Sequence, residues 1–155
     1  MNPKTNGNLL LVSNYPSDVG YAWWLMEHFW VLLTEYFESR GKHTFLAYPE
    51  INLLPTVIQN SRIEAVTMTV PGDSPEARQS LHKFIETNRV TDIYFTDRPW
   101  FRPDYLFLRK CDIQNMVVHD HTPGDRPPVN DFKGVPKSEP SPAALGMRRH
   151  TIQRV

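Results

Sequence analysis

The chain has 155 residues, and its 17 lysine and arginine residues balance 17 aspartate and glutamate residues, so the formal net charge is zero. A neutral chain has no basic field to hold phosphates, which argues against nucleic-acid binding. The length suits one substantial core and is short for two. The single cysteine, Cys111, excludes an intramolecular disulfide and suits a reducing cytoplasm, the location we expect.

The first predicted element is a strand in NLLLVSNYP, residues 8–16, a continuous apolar run ended by turn residues. The segment MNPKTNGNLLLV does not resemble a signal peptide, because no small-residue cleavage site follows its apolar run. We expect Asp18 to cap the next helix and Gly20 to let the backbone approach a neighbour or ligand.

The most apolar and aromatic segment, residues 21–33, contains Glu27 and His28 and is shorter than the roughly 20 residues that cross a bilayer. We therefore predict a buried helix that continues to Gly41. Its apolar face is expected to pack on a sheet and to follow helical spacing through Leu25, Phe29, Leu32 and Tyr36. The aromatic residues Trp23, Trp24, Phe29 and Trp30 fit either this core or a platform for sugar or lipid.

Strand and helix patterns alternate through the rest of the chain up to residue 120. Strands are predicted in 43–49, 63–72, 91–97 and 114–120, and helices in 74–88 and, more briefly, around 100–110. The alternation predicts an α/β fold: a Rossmann-like open parallel sheet of about five strands with helices on both faces, plus an extended C-terminal tail.

The composition changes after His121. Residues 123–142 hold six of the 14 prolines, and residues 133–155 hold five lysine or arginine residues against one glutamate. We predict a domain over residues 8–122, followed in 123–155 by a mobile Pro-rich basic linker and the start of a helix that appears cut short.

Ligands of open α/β sheets bind beyond the carboxyl ends of the strands, so the polar residues that follow each strand are candidate site residues. Turns also attract Asp, Pro and Gly, which is an equally good explanation for any one of them. The most distinctive strand end is VVHDHTPGDRPP, where His119, Asp120 and His121 follow two valines. A metal site, a catalytic base and a sugar-contacting loop are all consistent with this cluster.

Other chemistries have weaker support in the sequence. His119 and His121 share a side of an extended strand, but no third metal ligand lies at a recognisable spacing. The chain lacks a G-x-S-x-G elbow, a dinucleotide fingerprint and a P-loop, and Cys111 has no recognisable base beside it. We therefore expect neither a metal ion nor a cofactor.

The chain resembles the N-terminal domain of glycosyltransferase family 4, retaining enzymes of the two-domain GT-B fold. The resemblance covers about residues 8–155 and rests on LLLVSNYPSDVGYA, TDIYFTDRP and VVHDHTPGDRPP with the basic linker. It implies that His119 and Asp120 are catalytic, with His121 as an alternative to His119. It also implies that substrates contact Tyr15, Asp18, Gly20, Asp97, Arg98, His121 and Thr122.

The same resemblance implies sugar transfer, with retention, from a nucleotide-sugar donor to a glycan, lipid-linked or small-molecule acceptor, and is compatible with peripheral membrane association. Such enzymes are roughly twice this length, and their C-terminal domain holds the nucleotide sugar. We therefore expect a fragment, a truncated reading frame or half of a split enzyme that is inactive alone. The alternative is a non-catalytic α/β module that binds a ligand or partner.

Overall fold

A computed structural model of the chain describes residues 7–20, 23–98 and 102–119. The predictions for Asp120, His121, Thr122 and the linker in 123–155 lie outside these ranges. The described elements, in chain order, are β1 (Asn8–Val12), α1 (Trp24–Glu38), β2 (Thr44–Tyr48), α2 (Thr56–Gln59), β3 (Glu64–Thr67), α3 (Pro75–Thr87), β4 (Val90–Thr96), α4 (Asp104–Lys110) and β5 (Asn115–His119).

The five strands form one sheet in the order β3-β2-β1-β4-β5, and every pair of neighbours is parallel. The strand order reverses between β1 and β4, where Leu10 pairs with Ile93 and Val12 pairs with Phe95. In sheets of this type, a crevice opens at the carboxyl ends of the two strands that flank the reversal. The end of β1 and the end of β4 are therefore the natural walls of a ligand site.

Helices cover both faces of the sheet. On one face α1 and α2 pack through Met26, Trp30 and Ile58, and on the other α3 and α4 pack through Leu81 and Leu108. The central strands are buried on both sides, since Leu10 and Leu11 on β1 are both fully inaccessible. The predicted Rossmann-like parallel sheet of five strands with helices on both faces is confirmed.

The expected buried face of α1 is wrong at three of its four positions. Leu25, Leu32 and Tyr36 are 69%, 63% and 54% exposed, whereas Phe29 is partly buried. Apolar residues surround this helix on nearly all sides, so helical spacing alone does not distinguish the face that contacts the sheet.

The face that does contact the sheet carries Met26, Trp30 and Thr34, all of which are buried. Trp30 fixes this orientation, because its indole Nε1 donates a hydrogen bond to Thr96 Oγ1 on β4 at 3.2 Å. A buried indole N–H without an acceptor would be costly in free energy. This bond therefore favours the observed rotation of α1 over the rotation that would bury Leu25, Leu32 and Tyr36.

The expectation that Asp18 caps α1 is also wrong. The helix begins at Trp24, its N-cap residue is Trp23, and no side chain caps it. The Asp18 carboxylate instead accepts hydrogen bonds from Asn52 Nδ2 at 3.2 and 3.3 Å. At the other end α1 stops at Glu38, three residues before Gly41, which has a φ of +71° that glycine adopts readily.

In the described ranges, no helix has both the length and the apolar character needed to cross a membrane.

Candidate binding site at the carboxyl ends of the strands

Asn14 joins the two strand ends at the point where the strand order reverses. Its side-chain amide donates to the carbonyl oxygens of Thr96 and Asp97 at 3.0 and 2.7 Å, and its Oδ1 accepts from Arg98 Nε at 2.8 Å. Three hydrogen bonds from one side chain fix the loop after β1 against the loop after β4. The floor of the crevice that is expected at this reversal is therefore held in place by the protein itself.

Tyr15 and Asp97 form the surface above this floor. The Tyr15 hydroxyl donates to Asp97 Oδ2 at 3.2 Å, and its ring lies against Trp23 with ring centroids 4.8 Å apart. Tyr15 is 38% exposed, so a phenol and a carboxylate face solvent together. Asp97 has a φ of +58°, a conformation in which aspartate is tolerated better than most residues. Unusual backbone at a strand end is a common feature of binding sites.

Arg98 ties three strand ends together. Besides Asn14, its guanidinium donates to the carbonyl oxygen of Val70, which follows β3, and it lies over the Phe95 ring at 5.6 Å. Burial and the neighbouring Arg102 charge lower the pKa of Arg98. These contacts give the guanidinium a clear role in holding the loops, whatever ligand the crevice takes.

His119 ends β5 and is half-buried on the α1 side of the sheet. Its Nδ1 lies 2.5 Å from the Tyr94 hydroxyl, and its ring meets Phe29 edge-on with centroids 6.0 Å apart. The His119 carbonyl accepts from Asp97 N at 2.6 Å. The backbone thus connects His119 directly to the loop that carries Asp97 and Arg98.

The loop containing Asp18 and Gly20 leans toward β2 instead. Ser17 N donates to the Glu50 carbonyl at 3.0 Å, and Asp18 contacts Asn52. No described atom lies within 4 Å of the position that a Gly20 Cβ would take, so close approach to a neighbour does not explain this glycine. Its φ of +79° does explain it.

The structure thus joins Tyr15, Asp97, Arg98 and the backbone of His119 at neighbouring strand ends, whereas Asp18 contacts Asn52. Sequence reasoning missed Asn14 and Tyr94. Asn14 lies in the motif LLLVSNYPSDVGYA, directly after the first strand. A side-chain amide at the end of a strand was the feature that could have indicated it. Nothing in the sequence marks Tyr94, because register across two strands decides which residue contacts His119.

A phenol, a carboxylate and an imidazole at one strand edge provide hydrogen-bond donors and acceptors beside aromatic surface, which suits a ligand with several hydroxyl groups. Among the described residues, no group of three histidine, cysteine, aspartate or glutamate residues is placed to hold a metal ion. Cys111 is buried at the end of α4, and burial raises the pKa of its thiol.

No protein-family model matches the sequence, and no curated protein matches it. Among solved structures, a glycosyltransferase from Rickettsia africae ESF-5 is similar, with 14% sequence identity and a TM-score of 0.49 over 72% of this chain. The aligned region covers 29% of that chain. A similarity of this size shows neither a shared family nor a shared activity.

Proposed function

We propose that this chain forms the N-terminal, acceptor-side domain of a retaining glycosyltransferase. One observation carries the proposal: residues from the three sequence motifs of the resemblance lie at the carboxyl ends of the neighbouring strands β1, β4 and β5. Tyr15 comes from the first motif, Asp97 from the second and His119 from the third, and hydrogen bonds connect all three. The motifs lie about 80 and 20 residues apart in the chain, so only the fold unites them.

The chemistry of these groups supports an acceptor with hydroxyl groups. The Asp97 carboxylate accepts hydrogen bonds, the Tyr15 phenol donates or accepts them, and the Tyr15 ring offers an apolar face to a sugar ring. In the proposed enzyme, His119 and Asp120 lie beside the transferring sugar, where a correctly placed imidazole favours the transition state over the bound substrate.

The donor side of the reaction belongs to a second domain in this proposal. A nucleotide-sugar donor, a C-terminal GT-B domain and a glycan or lipid-linked acceptor are the proposed partners. Stabilisation of the leaving diphosphate by side chains and a helix N-terminus would need no metal ion. Because donor binding falls to that second domain, we expect this chain alone to transfer no sugar.

A second candidate is a non-catalytic α/β binding module that retains the crevice without the chemistry. The contacts of Arg98 are compatible with it, because a guanidinium bonded to Asn14 and to the Val70 carbonyl holds the loops together with no part in a reaction. Both candidates bind a ligand at the same strand ends, so the position of a bound ligand tests the crevice but does not distinguish them. Sugar transfer by this chain joined to the proposed second domain would distinguish the enzyme from the binding module.

The experiment is a nuclear magnetic resonance titration of the ¹⁵N-labelled chain with methyl glycosides of glucose, galactose, mannose and N-acetylglucosamine. At least one glycoside should shift the amide signals of residues 13–20, 96–98 and 119 and leave those of α3 unchanged. Tyr15→Phe should weaken that binding about fivefold or more, since it removes one hydrogen bond. Tyr36→Phe, an exposed change on α1, is the matched control.

Shifts from every glycoside that fall outside these residues, or no shifts at all, would overturn the proposal. Equal weakening by Tyr15→Phe and by the Tyr36→Phe control would also count against it, because the Tyr15 hydroxyl donates to Asp97 and Tyr36 lies on the exposed surface of α1.

A further inference from the structure

A separate cavity of about 450 Å³ lies between the first turns of α1 and the segment that begins α2. Trp24, Glu27 and His28 line it from α1, and Thr56 and Asn60 line it from the opposite side. We call this cavity the α1–α2 pocket. None of its lining residues belongs to the group around Asn14, Asp97 and His119 described above.

Glu27 is the unusual residue of the α1–α2 pocket. Only 8% of Glu27 is exposed, yet its carboxyl group makes no hydrogen bond or salt bridge with any residue that the structure describes. Buried carboxylates in proteins are normally paired or hydrogen-bonded, because removing a charge from water is costly. Burial accordingly raises the pKa of Glu27, and the neighbouring His28 partly opposes this effect.

Tyr48, at the end of β2, is a buried residue near Glu27 whose hydroxyl group has no described partner. It is 2% exposed, and its hydroxyl oxygen has no hydrogen-bond partner in the described part of the chain. The nearby Glu27 charge contributes to raising the pKa of this phenol. A buried hydroxyl without a partner is uncommon in a native structure, and this one lies close enough to feel the Glu27 charge.

The other residues of the α1–α2 pocket restrict the class of ligand that it can bind. The Trp24 indole is 52% exposed and lies against the His28 ring at a centroid distance of 4.1 Å, so apolar aromatic surface stands next to the carboxylate. Indole rings attract cations as well as apolar groups. A phosphate or carboxylate ligand would be repelled by Glu27. Among the described residues, no group of three histidine, cysteine, aspartate or glutamate side chains could hold a metal ion here.

We propose that the α1–α2 pocket binds a small organic ligand through an ammonium group that pairs with the Glu27 carboxylate, while the apolar part of the ligand contacts Trp24. An ammonium group matches the position because it supplies both the charge and the hydrogen-bond donors that Glu27 lacks. This inference does not depend on the proposed sugar transfer, because the pocket is built from other residues.

The test compares two probes of nearly equal size, cyclohexylamine and cyclohexanol, by nuclear magnetic resonance titration of the ¹⁵N-labelled full chain at neutral pH. Cyclohexylamine should shift the amide signals of residues 24–28 and 56–60. It should bind about tenfold or more tightly than cyclohexanol, since a charged pair in a desolvated site is stronger than a neutral hydrogen bond.

The variant Glu27→Gln should weaken cyclohexylamine binding about tenfold or more and leave cyclohexanol binding unchanged. Glu35→Gln is the matched control, because Glu35 is an exposed carboxylate about two turns further along the same helix. It should leave both affinities as they are, so that a general effect of charge on α1 is separated from an effect of Glu27.

Equal binding of the two probes, or unchanged cyclohexylamine binding in Glu27→Gln, would overturn the inference. Unfolding of Glu27→Gln would overturn it too, because a carboxylate that makes no bonds within the protein has no folding role to lose. Shifts confined to residues 13–20 and 96–98 would place the amine in the crevice instead, which would also contradict it.

Discussion

The Tyr94 hydroxyl and the His119 Nδ1 are 2.5 Å apart on the neighbouring strands β4 and β5. Burial raises the pKa of Tyr94 to about 12, so the phenol keeps its proton at neutral pH and can donate it. When it donates, Nδ1 is the acceptor and the ring proton of His119 resides on Nε2. With the bond in this direction, Tyr94 positions the imidazole and favours the tautomer with its proton on Nε2.

Tyr94→Phe should change the His119 tautomer at little cost in stability. Loss of one partly buried hydrogen bond costs about 1 kcal/mol. The ¹⁵N chemical shifts of the His119 ring should move toward a mixture of the two neutral tautomers, whereas those of His82 on α3 should stay constant. Unchanged His119 ring shifts would mean that the Tyr94 bond does not control the tautomer.

The orientation of α1 predicts opposite results for two neighbouring substitutions. Trp30→Ala should lower the free energy of unfolding by about 3–5 kcal/mol, because Trp30 is fully buried and donates to Thr96. Leu32→Ala should change it by less than about 0.5 kcal/mol, since Leu32 is 63% exposed. Urea unfolding of both variants checks this, and a larger loss for Leu32→Ala would mean that the helix is rotated.

The contrast on α1 shows where sequence reasoning succeeds and where it stops. Helical spacing puts Leu81, Phe84 and Ile85 on one face of α3, and the structure buries Leu81 and Ile85 and partly buries Phe84. Ser74 caps that helix through a hydrogen bond from Ala77 N at 3.1 Å. On α1 the residues are apolar on several sides, and the bond between Trp30 and Thr96 decides the face. That bond joins residues 66 positions apart, which no local pattern can reveal.

Arg98 should contribute to stability through its hydrogen bonds to Asn14 and the Val70 carbonyl. Arg98→Met keeps much of the side-chain volume but removes both bonds, and it should cost about 2 kcal/mol. Arg62→Met, whose side chain is 80% exposed, should cost less than about 0.5 kcal/mol. Thermal unfolding measures both, and equal melting temperatures would show that Arg98 does not hold the loops together.

The pH dependence of stability should reveal the unsatisfied Glu27. Burial raises the pKa of Glu27 above 4.5, so the folded chain binds this proton more tightly than the unfolded chain. The Glu27 carboxyl group therefore contributes its full stabilising effect below about pH 4.5, and this contribution to the free energy of unfolding is lost as the pH rises through the raised pKa. Glu27→Gln lacks this loss and should melt a few degrees above the original chain at pH 7, with the difference disappearing near pH 4.

Glu76 provides the control of opposite sign. Hydrogen bonds from its own backbone N–H and from Ser74 hold the pKa of Glu76 below its ordinary value. Its stabilising effect is present above the unfolded pKa and disappears as the pH falls, so Glu76→Gln should melt no higher than the original chain at pH 7. A lower melting temperature for Glu27→Gln at pH 7 would contradict the description of Glu27 as unsatisfied.

The strand-end rule predicted from the sequence that Tyr15, Asp97 and His119 lie near one another, because parallel strands place their carboxyl ends on one edge. Hydrogen bonds connect these three residues in the structure, and their role in binding stays a prediction. The roles within the group required coordinates: Arg98 was expected to line the cleft, and its bonds to Asn14 and Val70 depend on three loops meeting. Glu27 was seen only as an interruption of an apolar segment, since its lack of a partner is a property of the packed helix.

The central claim is that the strand ends form a ligand site that includes His119. The most direct test measures the affinity of His119→Ala for the glycoside that binds best, together with its melting temperature. We predict about tenfold weaker binding with the melting temperature lowered by no more than a few degrees. Unchanged affinity accompanied by a large fall in melting temperature would show that His119 is a structural residue and not part of a ligand site.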